Sequence, residues 1–114
     1  MVPNAEPQNL PSPGDMPTGV FVATPVGLMQ VHEHLGEGDD YGLADVRQLF
    51  GLGTVDRRED WLRLRLTRRE LHELRITVDA YSFDYPAELI EMCMDMVRSA
   101  GSLSGDPLEF LGNF

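Results

Sequence analysis

The chain holds no lysine and one cysteine, Cys93, and has no long run of apolar residues. Each shortage closes off a class of protein. A lone cysteine cannot build an internal disulfide framework, and it fits a reducing compartment. No stretch approaches the roughly 18–20 apolar residues of a membrane helix. The first residues also lack the basic and apolar regions of a signal peptide. The expected location is the cytoplasm, or a particle assembled there. Three histidines leave few general bases, and no Ser, Thr or Cys sits in a convincing nucleophile pattern. The glycines between 36 and 53 lack the lysine and the strand-to-helix context of a phosphate loop. No catalytic residue and no cofactor is expected.

What is present is acidic and unevenly spread. The net charge is −10. Seven of the nine arginines (Arg57, Arg58, Arg63, Arg65, Arg68, Arg69, Arg75) lie between Arg57 and Arg75 with four acids, so that band carries +3 and the rest −13. Free nucleic acid is disfavoured as a partner, because only a focused basic patch overcomes so acidic a molecule.

The chain of 114 residues divides once. Residues 1–18 hold five of the eight prolines (Pro3, Pro7, Pro11, Pro13, Pro17) and are expected as an extended arm, since proline removes donors and fixes φ. Residues 19–114 then form one compact α+β domain. Val20–Thr24 and Leu28–His34, linked by Pro25-Val26-Gly27, read as a hairpin. Leu28, Gln30, His32 and His34 share one face of its second strand. Gly36–Asp40 is a loop. Leu43, Val46, Leu49 and Phe50 recur at helical spacing, with Gly51 as the C-terminal cap.

The stretch from Trp61 to Gly101 is the folding core. Trp61–Leu66 alternates, with Leu62, Leu64 and Leu66 inward and Trp61, Arg63 and Arg65 outward. A helix from Asp56 through to Ser82 is the competing reading. Thr67-Arg68-Arg69-Glu70 has the form of a capping box and opens a helix whose stripe is Leu71, Leu74, Val78 and Tyr81. A further helix is capped at Asp84, carries Pro86 in its first turn and ends at Gly101. Its apolar face centres on Leu89, Cys93, Met96 and Ala100. Met92 on one side and Ile90, Met94 and Val97 on the other widen it to about 200°. The last residues (Leu108, Phe110, Leu111, Phe114) dock from a turn at Asp106-Pro107. The expected fold is a small antiparallel sheet, a hairpin plus one strand, packed by two longer helices and one short one.

Three groups of residues invite chemistry. His32 and His34 are spaced to share a metal, against the plainer reading of two polar residues near a strand end. Met92, Cys93, Met94 and Met96 suggest a soft metal, but at helical spacing they point apart and serve core packing better. Trp61, Arg63 and Arg65 form an outward face suited to a protein partner, against a Trp packed under the arm or a loop. The expected interface is Trp61, Arg63, Arg65, Ile90, Met94 and Val97.

In general form, a small chain with a proline-rich arm resembles bacteriophage accessory and structural proteins; no motif carries the resemblance. The leading expectation is a non-enzymatic assembly or interaction subunit that contacts a protein partner or other copies of itself through its N-terminal arm and a helical and strand surface. The alternatives are a small acidic inhibitor that occupies a basic groove on a host protein, and a metal- or ligand-binding domain using His32 and His34.

Overall fold

The computed structural model describes residues 18–33 and 41–112. The elements, in chain order, are β1 (Val20–Thr24), β2 (Gly27–His32), α1 (Leu43–Phe50), β3 (Thr54–Arg57), β4 (Leu62–Leu66), α2 (Arg68–Tyr81), α3 (Ala87–Ala100) and β5 (Leu108–Gly112). The class is α+β, with one antiparallel sheet in the order β2-β1-β5-β4-β3. The arm, the Gly36–Asp40 loop, His34 and Phe114 lie outside the described residues.

The sheet has five strands rather than a hairpin and one more. The docking tail is β5, which sits at the centre between β1 and β4. Thr54–Arg57, to which the sequence pattern assigns no element, form edge strand β3 against β4. Alternation failed to reveal β3 because its outer edge faces water and only Val55 packs against the core.

One layer of helices covers one face. Side chains from α1, α2 and α3 share a single buried cluster with Val20, Val22, Leu62, Leu64, Leu66, Leu108 and Phe110. Phe110 and Leu64 are directly opposed and both fully buried. Each such side chain contributes about 1.5–3 kcal/mol by leaving water.

The helix ends are set locally. Gly51 takes the left-handed conformation (φ 71°) and its N–H reaches the Arg47 carbonyl at 3.0 Å, closing α1. Thr67 caps α2, accepting from the Glu70 N–H at 3.1 Å. Two expectations need correction. Pro86, not Asp84, stands at the N-cap of α3, with no side-chain cap bond. Tyr81 is 54% exposed and leaves the α2 stripe to Leu71, Leu74 and Val78. It is the last residue of α2.

A bulge between β1 and β2 changes the parity of the second strand. Val20 opposes His32 and Phe21 opposes Gln30, so Val31 is the extra residue. His32 therefore shares the helix side with Val20, whereas Gln30 shares the other side with Phe21. The single face expected for Gln30 and His32 is split.

Glu70 ties the start of α2 to the turn before β3. Its carboxylate accepts from Thr67 N at 3.0 Å and from Gly53 N at 2.8 Å. These two backbone donors hold the carboxyl below its ordinary range. A lowered folded pKa gives stabilisation that is complete above the unfolded value and lost as pH falls through the folded one. Glu70→Gln should therefore cost about 1 kcal/mol at pH 7, as the loss of a helix cap does. In denaturant melts the gap from wild type should close below about pH 4, where the free carboxyl protonates. A gap that stays constant down to pH 3 would sink this account.

Candidate functional site

The face of the sheet away from the helices carries Trp61, Arg63 and Arg65, but not as the solvent platform expected from alternation. Trp61 and Arg63 are each 5% exposed; Arg65 alone is open to water. Arg63 lies in the row Phe21–Leu111–Arg63–Asp56, which crosses β1, β5, β4 and β3. Its guanidinium donates to Asp56 at 3.0 Å and to Glu109 at 3.3 Å. Arg58 reaches Asp56 at 3.1 Å, and Arg65 reaches Glu109 at 3.9 Å. Charges of alternating sign thus run across three strands. A buried guanidinium is tolerated because two carboxylates replace its water. These two carboxylates are those of Asp56 and Glu109.

The other half of the expected interface also divides. Ile90 belongs to the core cluster, Val97 is half-buried and Met94 is 41% exposed. The wide apolar arc of α3 is mostly covered within the domain, because α3 packs on both α2 and β2. Only its Met94–Val97 fringe reaches the surface.

That fringe borders a feature missed in the sequence. A groove of about 400 Å³ between α2 and α3 is lined by Arg68, Leu71, His72, Arg75, Val97, Arg98 and Gly101. Leu71 and Val97 supply its apolar part, and no acid is among the described residues that line it. Arg68 is held by the Leu103 and Gly105 carbonyls, which fixes one wall. His72 and Arg75 are exposed. The signal was available: Arg68, His72 and Arg75 are four and three residues apart, on one side of a helix.

On the opposite flank of α3 lies a recess of about 470 Å³ lined by Gln30, Val31, His32, Glu33, Glu91 and Asp95. Asp95, on its α3 wall, pairs with His32 Nδ1 at 2.8 Å and with Arg98. Among the described residues no three His, Cys, Asp or Glu side chains are grouped to hold a metal ion. His32 is engaged by Asp95, and its proposed companion His34 is outside the described residues.

Cys93 is fully buried, and burial pushes its thiol up to about 12. Among the described residues, no helix is long and apolar enough to cross a membrane. Compared with protein-family models, with curated proteins and with solved structures, the chain matches none.

The arginines should respond differently to substitution. Arg63→Ala removes the buried guanidinium that Asp56 and Glu109 share, leaving them the exposed Arg58 and Arg65, and should cost about 2 kcal/mol, less than breaking a fully buried pair. Arg65→Ala should change stability by under about 0.5 kcal/mol. Equal effects in chemical denaturation would contradict the buried role of Arg63. A thiol reagent should leave Cys93 unmodified in the native protein and label it after unfolding; rapid native labelling would contradict its burial.

Proposed function

We propose that this chain is a non-enzymatic assembly subunit whose copies associate through the exposed side of α3. The observation that carries the reading is the division of charge about that helix. A basic groove lies on one flank and a recess lined by Glu33, Glu91 and Asp95 on the other. One copy thereby carries both halves of a complementary contact. In a two-fold arrangement the same patch meets itself. With the two α3 helices antiparallel, Glu91 of each copy faces Arg98 of the other, and Met94 lies between these charges. The acidic remainder of the chain supplies the carboxylates that an exposed His72 and Arg75 would receive.

This contact is mostly electrostatic, so it forms quickly and weakens with salt. The expected result is a molecular mass by light scattering that rises with concentration and falls in high salt. Arg98→Glu should weaken association about tenfold, equivalent to about 1.4 kcal/mol. Glu91→Arg should do the same. The two changes together in one chain should restore association, since the pair is merely exchanged. A monomer at every concentration and salt would refute the reading and turn attention to the acidic-inhibitor alternative. Failure of the double exchange to restore association would refute this geometry.

A further inference from the structure

The groove between α2 and α3 gathers basic side chains from two helices around one apolar strip. Arg68, His72 and Arg75 line it from α2, Arg98 lines it from α3, and Leu71 and Val97 supply the strip. The basic groups differ in what already holds them. Arg68 donates Nε to the Gly105 carbonyl at 2.8 Å and an amino group to the Leu103 carbonyl, so it is a fixed wall. Arg98 pairs with Asp95 on its own helix. His72 and Arg75 are exposed and make no hydrogen bond or ion pair with any described residue.

We propose that this groove is a binding site for a small organic phosphate monoester. The phosphate lies among His72, Arg75 and Arg98, and the apolar body of the ligand lies on Leu71 and Val97.

The number and placing of the donors decide the head group. One guanidinium fork is enough for a carboxylate, whereas donors that arrive from two helices suit a tetrahedral dianion with three free oxygens. The apolar strip decides the body. A bare inorganic ion would leave Leu71 and Val97 without a contact, and a groove of about 400 Å³ falls within the range of small-molecule sites. The charge of the whole chain decides the size. With a net charge of −10, a polyanion that runs past the groove meets repulsion. A compact anion stays inside the basic patch, and at physiological salt charges beyond about 8 Å are largely screened.

Side chains carry the site, and the start of α2 does not. Its first turn is already satisfied, since Thr67 Oγ1 accepts from the Glu70 N–H at 3.1 Å and Asp106 Oδ1 accepts from the Arg68 N–H at 3.0 Å. The groove is complete in one copy, so the site does not rest on the association proposed above.

Phenyl phosphate is the probe, with inorganic phosphate and phenol as its two halves, each titrated by calorimetry into the full-length protein. The expected result is saturable binding of phenyl phosphate, about tenfold tighter than inorganic phosphate and weakened by salt, with no binding of phenol. Arg75→Gln should weaken it about tenfold, the loss of one charge-assisted hydrogen bond. His72→Gln gives a second reading at an exposed position and should also weaken it. Arg69→Gln removes the same charge from α2 outside the groove and should leave the affinity unchanged. Far-ultraviolet dichroism should match the wild type in all three. Equal weakening by Arg69→Gln and Arg75→Gln would overturn the proposal, since diffuse charge would then be the cause. Equal affinity for phenyl phosphate and inorganic phosphate would overturn it too, and so would the absence of saturable binding at millimolar ligand. Glu91→Arg, which should weaken association and lies outside the groove, should bind phenyl phosphate as the wild type does. Loss of binding in that variant would overturn a site built by one copy alone.

Discussion

β5 pairs with β1 through Val20–Gly112, Phe21–Leu111 and Val22–Phe110, and with β4 through five successive pairs from Leu62–Gly112 to Leu66–Leu108. Both hairpins in the chain, β1–β2 and β3–β4, depend on this strand to become one sheet. A lone two-stranded hairpin is marginal in water. With β5 between them, each inner strand is paired on both edges, and Phe110 and Leu108 complete the floor on which the helices rest. The fold therefore closes only when the end of the domain reaches its beginning. Such long-range pairing carries a loop-closure cost that is repaid by the apolar burial on the helix side.

The position of β5 also explains the second face. Placing Leu111 between Phe21 and Arg63 makes a continuous row in which apolar and charged side chains stand shoulder to shoulder. The guanidinium of Arg63 cannot reach solvent freely, and Asp56 and Glu109 meet it from either side. Glu109 is itself a β5 residue, so the same strand that buries the arginine also helps to compensate it. A hydrophobic residue at 63 would remove the need for compensation. It would also leave two carboxylates beside an apolar row.

How much of this was legible follows from which signals are local. The capping box at Thr67 and Glu70, the α1 cap at Gly51 and the alternation of Leu62, Leu64 and Leu66 are set within a few residues, and they appear where the sequence places them. The central line of α3 (Leu89, Cys93, Met96, Ala100) was equally plain. What failed depended on tertiary neighbours. Alternation assigns Trp61 and Arg63 to the face away from the leucines, which is correct, but it does not say whether that face meets water. The bulge that moves His32 to the helix side leaves no mark in the pattern of β2. The groove between α2 and α3 requires Arg98 to arrive from a second helix, so only its α2 half could be read beforehand.

Together these features restrict what kind of contact the molecule can make. An apolar arc of about 200° on α3 first suggested an oily interface. Packing on α2 and β2 consumes most of that arc, leaving Met94 and part of Val97. The arginine-bearing sheet face is internally compensated, with Arg65 as its exposed remainder. The groups left for recognition on the two flanks of α3 are charged: His72 and Arg75 beside the groove, and Glu91 with Glu33 at the recess. A contact built on these groups has little apolar area to hold it in high salt. Its specificity comes from the pattern of signs and not from shape, which suits subunits that must find a defined register and still come apart.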